Sequence, residues 1–414
     1  MVIILHNIIN LHVYQVKGKC AGCYQPDGGE RLGKLSLVVA DPDGDYLRRL
    51  GNYLTVHHSG RFNVNLFSSP GELSIFLSSA GKHPDVLLYS DMFPRDALLS
   101  GKVHTRIQLS ENNTASAAEG LYAIPKYRHT DQLVQNILHI YAERSSEAFT
   151  PDVKASAGIY AVHSASGGCG KTSIAVGLSM LAARRNLKPL YLNFENAPST
   201  AFYFKGGAER SFSEVIYYLK EKGSNLAVKL EGACCFDPAG GVYYYLPPES
   251  ACEFEELTEE DIDLFLKTVR SSSRFGIVFI DLPSGWSGRN KSILKSCDKV
   301  INVCLYGAFS FFKKAVMEGD PGVAVAEEGS GFSSKVFHVL NRYRENVPRG
   351  WGEKEDTGRF HAVMGESEKL DHNTGEKLLI DMDPSFSASL GKLFDCLAAP
   401  GGEGCELHGG DAFA

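Results

Sequence analysis

No stretch of this sequence reaches the roughly 18 apolar residues of a membrane-spanning helix. That argues against a helical integral membrane protein. There is no cationic excess either. Lys and Arg number 42 against 49 Asp and Glu, a formal net charge of −7. A globally basic nucleic-acid binder is excluded on that balance, although a local basic patch is not. Ten cysteines in 414 residues are too dilute for a disulfide scaffold; they suit a reducing cytoplasm. The first fourteen residues, MVIILHNIINLHVY, are apolar but have no basic n-region and no small-residue cleavage site. Cys20 and Cys23 follow in the spacing CAGC with no second pair, which is a weak metal or redox signal. Residues 1–34 therefore read as a disordered extension, with ordered structure expected to begin near Lys34.

What is present is ordinary globular material: 43% hydrophobic and 22% charged residues. The chain is longer than one core usually serves, so two domains are expected. The first, over 35–144, alternates strands and helices. LSLVVA (35–40), 62–67, DVLLY (85–89), 106–109 and 121–124 read as strands. Tyr46, Leu47, Leu50 and Leu54 recur at helical spacing. Residues 70–79 read as a helix entered at Pro70, and 132–141 as a closing amphipathic helix. This pattern predicts a doubly wound parallel sheet. Residues 145–157 (SSEAFTPDVKASA) read as a linker. A second β-α alternation over 158–398 starts at Ile159 and continues through strands at 189–192, 242–246, 276–280, 300–305 and 335–340. The segment 345–375 resists assignment, and the Gly-rich stretch 399–414 reads as a disordered tail.

The strongest local signal is IYAVHSASGGCGKTSIAVGLSML (159–181): an apolar strand, a glycine-rich turn, then an apolar-faced helix. That is the setting of a phosphate loop. Gly167, Gly168 and Gly170 permit backbone N–H groups, with those of Cys169 and Ser173, to converge on an anion. The helix N-terminus adds partial positive charge. Lys171 is expected to reach the β/γ-phosphates of ATP, and Thr172 to place its hydroxyl on Mg²⁺. RFGIVFIDLPSG (274–285) supplies Asp281 at a strand end, where a carboxylate can hold Mg²⁺ through water. Taken alone, such an aspartate is more often a helix cap or turn residue; paired with the glycine loop, it points to Mg²⁺.

The loop lacks the glycine six residues before its lysine; Ala165 stands there. It resembles instead the deviant Walker A loop K-G-G-x-G-K-[ST] of the ParA/MinD superfamily, except that the signature lysine falls on Ser166. That lysine would neutralise charge across a nucleotide-sandwich dimer, so its loss implies slow hydrolysis or none. The superfamily's D-x-D falls on Asn193 and Glu195, and Glu195 can still accept a proton or hydrogen bond from water. Asn341, in KVFHVLNRYRE, matches the superfamily's adenine-contacting asparagine.

The first domain resembles a response-regulator receiver whose phosphoacceptor place is Ser90, with Asp91 one residue late. Its acidic pair is reduced to Ala40 and Asp41. Ser110 and Lys126 sit near the switch hydroxyl and lysine places. The resemblance implies a non-phosphorylated interaction domain, with a register using Asp91 as the alternative. A receiver-like domain ahead of a deviant ParA/MinD ATPase resembles the TadZ/CpaE family, which helps to localise and assemble Tad (type IVb) pilus machinery. The resemblance spans about 35–398. It implies a cytoplasmic ATP- and Mg²⁺-binding homodimer, recruited to the membrane face or cell pole by pilus or secretion proteins, with no nucleic-acid partner. The dimer face would carry Phe202, Tyr203 and Trp286. Rival readings are a partition or division-site ATPase and a phosphorylated response regulator with ATPase output. Phe386, Leu390, Leu393, Phe394 and Leu397 could form a membrane-facing stripe, but read better as core packing.

Overall fold

A computed structural model of the chain describes residues 31–32, 34–79, 81–94, 98, 102–111, 122–145, 149–150, 156–206, 210–223, 225–272, 274–318, 335–344, 360–372, 375 and 377–398. The CAGC motif and the expected tail lie outside these residues. Two compact units are present. One comprises 1–152 together with 223–232, and the other 153–222 together with 233–414.

The first unit is built on five parallel strands: β1 (Leu35–Ala40), β2 (Phe62–Phe67), β3 (Val86–Ser90), β4 (Thr105–Ser110) and β5 (Tyr122–Pro125). Their order is β2-β1-β3-β4-β5, that of flavodoxin-like doubly wound sheets. Both faces are covered, as the unbroken apolar runs require. Leu35, Leu37 and Val39 pack into one core layer, and Val38 and Ala40 into the other, following the period of two along a strand. Helix α1 (Gly44–His57) is capped by Asp43, whose carboxylate accepts from the amides of Asp45 and Tyr46. Helix α2 (Pro70–Ser78) begins at its proline, and α3 (Thr130–Arg144) closes the unit.

Order starts slightly earlier than expected. Arg31–Leu32 pairs in parallel with Phe149–Thr150, two residues of the expected linker. A two-residue strand has no periodicity to read. The segment 223–232 was also expected in the second domain, yet it packs with the first unit. There Val228 joins the core on one face of the sheet. Asn225 Nδ2 donates to the Ser145 carbonyl at 2.9 Å. Glu231 forms a buried ion pair with Arg61. Gly232 lies so close to α3 that a Cβ there would stand 2.9 Å from His139 Cα.

The second unit carries an eight-stranded sheet. In chain order its elements are β6 (Gly158–His163), α4 (Lys171–Arg184), β7 (Pro189–Asn193), α5 (Phe212–Glu221), α6 (Leu226–Ala233, mostly in the first unit), β8 (Cys235–Asp237), β9 (Val242–Tyr244), α7 (Glu259–Ser271), β10 (Ile277–Asp281), α8 (Gly288–Ser296), β11 (Lys299–Leu305), α9 (Ala308–Glu318), β12 (Val336–Tyr343), β13 (Ala362–Gly365) and α10 (Pro384–Ala398). The strand order is β8-β9-β7-β10-β6-β11-β12-β13. Every pair is parallel except β8 with β9. Helix α7 starts in a capping box between Thr258 and Asp261. The stripe Phe386, Leu390, Leu393, Phe394 and Leu397 of α10 is buried in this unit's core, so it offers no membrane face.

A candidate nucleotide site at the strand ends

Parallel strands in register bring their C-terminal ends level, and ligands of such sheets bind there. Here Asp281 at the end of β10 pairs in register with Val162 of β6 on one side and Asn193 of β7 on the other. The loop 164–170 leaves β6 at the same edge. Gly168 and Gly170 have φ of 68° and 88°, a region where side chains are strained. Gly170 caps α4, which begins at Lys171.

The expected residues converge. The Lys171 ammonium is buried; it donates to Ser284 Oγ at 3.0 Å and lies 3.9 Å from Glu195 Oε1. The Thr172 hydroxyl is 3.5 Å from Glu195 Oε2. Asp281 is fully buried, and Tyr191 OH donates to its Oδ2 at 3.1 Å. Its Oδ1 is buried with no hydrogen-bond partner, although Thr172 lies close enough to favour the charged form. Ser166 is buried, and its carbonyl accepts from Ser284 Oγ at 2.9 Å. Asn341 is placed differently from a free base-reading amide: its Nδ2 donates to the Cys169 carbonyl at 2.8 Å and so braces the loop, leaving Oδ1 for other partners. The Ser173 hydroxyl is hydrogen-bonded to Tyr203.

Several contributors were not singled out from sequence. Ser284 bridges Lys171 and the glycine-rich loop. His163, buried at the end of β6, donates from Nε2 to the Gly285 carbonyl at 3.1 Å and packs against the Trp286 ring. Burial pushes its pKa down to about 4, so the ring is neutral and its N–H faces the carbonyl. Asn290 Nδ2 donates to the carbonyls of Pro283 and Gly285. Together these contacts pin the loop that follows Asp281. The serine in DLPSG was the one visible hint. Of the residues expected on a dimer face, Phe202 is 42% exposed, whereas Tyr203 and Trp286 are only partly so.

The donor set fits a magnesium nucleotide. A carboxylate oxygen without a partner, a hydroxyl beside it and a buried ammonium face one loop. Above Gly167 and Gly168, an added Cβ would meet no atom within 4 Å. Thr172 and Asp281 would hold the cation, and Lys171 and the loop amides the phosphates.

Burial, then the Glu195 carboxylate, push the Asp281 pKa up to about 7. A raised acid binds its proton more tightly in the folded protein than in the unfolded chain. Its stabilisation is therefore present at low pH and is lost as pH rises from about 4 to about 7. The Asp281→Asn variant lacks this term. Wild-type stability should fall relative to the variant across that window, by at most about 1.4 kcal/mol per pH unit. His163 and His338, with pKa values lowered to about 4 and about 3, act in the opposite sense in both proteins and cancel from the difference. Urea unfolding of both proteins at stepped pH checks this; parallel profiles would refute it.

No family model and no curated protein matches this chain. Among solved structures it is similar to a plasmid partition protein of Borrelia burgdorferi B31 bound to AMPPNP. There the identity is 16%, 58% of this chain and 97% of that one are covered, and the TM-score is 0.45. It is also similar to a ParA family ATPase of Chlorobium tepidum TLS (13% identity, 59% and 98% covered, TM-score 0.47). A third is the septum site-determining protein MinD of Pyrococcus horikoshii OT3 in complex with Mg-ADP (18% identity, 58% and 96% covered, TM-score 0.43). Among the described residues, no helix is long and apolar enough to cross a membrane.

Proposed function

We propose that this chain is a nucleotide-controlled scaffold of the ParA/MinD type. In this reading its second unit binds MgATP and turns it over slowly or not at all. The observation that carries it is the convergence of Lys171, Thr172, Glu195 and Asp281 on one glycine loop that has serine, not lysine, at 166. When bound, MgATP supplies a triphosphate whose terminal bond can be hydrolysed. This chain's residues would cradle it, orient water through Glu195 and exclude solvent. What the chain lacks is a cation at position 166 to neutralise charge across a dimer.

The first unit fits an interaction module better than a phosphoacceptor. Ser90 at the end of β3 is fully buried, while Asp91 is exposed in the turn after it. The Lys126 ammonium is already paired with buried Asp41, at 2.9 and 3.1 Å. A receiver-like unit ahead of a P-loop unit supports the TadZ/CpaE reading. The partners would be pilus or secretion proteins at the membrane face or cell pole, with a homodimer as the working form.

Turnover is expected to lie below about 10 s⁻¹, the usual enzyme median. Phosphate release by the purified chain tests this. A faster rate without a partner would mean that another cation does the work of the missing lysine. The dimer should depend only partly on ATP. Sedimentation with and without nucleotide tests it, and a monomer in both states at tens of micromolar would reject the scaffold reading.

A further inference from the structure

The place of the first aspartate in the superfamily's D-x-D holds Asn193, and its contacts give the amide a task an aspartate could not perform. The backbone N–H of Glu195 lies 2.8 Å from Asn193 Oδ1. An N–H can only donate, so that side of the amide must be the oxygen. The other side, Nδ2, then faces Tyr191 OH at 3.0 Å and must donate to it. With that lone pair used, the phenolic proton is free for Asp281 Oδ2, 3.1 Å away. Tyr191 and Asp281 are both buried, and Asn193 partly so. Water does not substitute readily for a lost partner at the two buried groups. Tyr191 and Asn193 are two apart on β7, so their side chains share one face of the sheet. Asp281 is the in-register neighbour of Asn193 on β10.

We infer that Asn193 and Tyr191 form a hydrogen-bond relay of fixed polarity, which orients Glu195 at the phosphate loop and delivers a donor to Asp281. Both are positioning residues. An aspartate at 193 would break the polarity: one phenolic proton would face two carboxylates, and one of them would go without. The asparagine is therefore matched to the tyrosine. Putting back the superfamily's aspartate should weaken the site rather than restore it. The inference rests on the reading of this site as a MgATP site.

The test uses the full chain and two readouts. The first is exchange of the Glu195 amide proton, followed by NMR without nucleotide. Asn193→Ala removes the acceptor and should speed exchange by about tenfold or more, whereas Asn193→Asp keeps an acceptor and should leave it within about threefold. The second is calorimetry with ATP, with Mg²⁺ and with EDTA. Asn193→Asp and Tyr191→Phe should each weaken MgATP binding by about tenfold and leave Mg-free ATP binding unchanged, as expected for loss of a hydrogen bond to a charged group. Aspartate is isosteric with asparagine, so a merely structural role for the side chain would show neither selectivity. MgATP affinity in Asn193→Asp equal to or above wild type would overturn the relay, as would an unchanged Glu195 amide in Asn193→Ala. A wild-type chain that binds no MgATP would sink the nucleotide reading instead, and amide exchange would still decide the relay.

Discussion

Lys171→Ala should lower the affinity for MgATP by about a hundredfold, roughly 2.7 kcal/mol, the scale of a lost charge-assisted contact to phosphate in a buried site. The Lys171 side chain is 5% exposed, and its ammonium is held by Ser284 Oγ and, more loosely, by Glu195. Neither partner is a full counter-charge at contact distance, so the cation is available to an anion entering the loop. Lys171→Met keeps most of the stem and removes only the charge. Equal losses in both variants would assign the effect to the ammonium and not to packing. Calorimetry is the measurement, and unchanged affinity in either variant would remove the phosphate assignment. Since Lys171 also lowers the Asp281 pKa, the variants should need a higher pH to bind Mg²⁺ with the nucleotide.

Gly170→Ala should cost about 2–5 kcal/mol of stability in the second unit and abolish measurable nucleotide binding. Two separate penalties add. The residue has φ of 88°, where an L side chain costs about 1–2 kcal/mol. A Cβ there would also stand 2.3 Å from Asn341 Nδ2. Asn341 must then swing away, which leaves its own amide and the Cys169 carbonyl without their bond, a further penalty of about 1–3 kcal/mol. The double variant Gly170→Ala, Asn341→Ala relieves the contact but not the backbone. It should recover part of the stability in urea and little of the binding. Full recovery of both would show that the left-handed backbone at 170 is not required.

The strands that sequence revealed are those buried by their own composition. LSLVVA and IVFID are apolar apart from Ser36 and the strand-end Asp281, as strands covered on both faces require. Cys235–Asp237 and Ala362–Gly365 were missed, since three or four residues at a sheet edge carry no period, and their burial comes from neighbours. The site divides the same way. Lys171, Thr172 and Asp281 were legible because each sits in a local pattern that fixes its backbone. Ser284 and Tyr191 were not. Ser284 acts on Lys171 across 113 positions, and Tyr191 on Asp281 across 90. Only the register of β6, β7 and β10 brings such residues together. Asn193 could be placed at an aspartate position but given no task, because identity alone does not show which way a hydrogen bond runs.

The excursion of residues 223–232 bears on how this protein can be taken apart. Neither unit is one contiguous stretch of polypeptide, since the chain crosses between them near 152, 222 and 232. A gene cut at the expected linker would yield an N-terminal fragment without Val228, Glu231 and the Asn225 bond to Ser145. The C-terminal fragment would carry the orphaned helix as an apolar surface. Each fragment should be less soluble than the whole, and co-expression of the two should rescue both by trans-complementation. A deletion of 223–232 bridged by a short glycine linker would be the better way to ask whether the second unit stands alone.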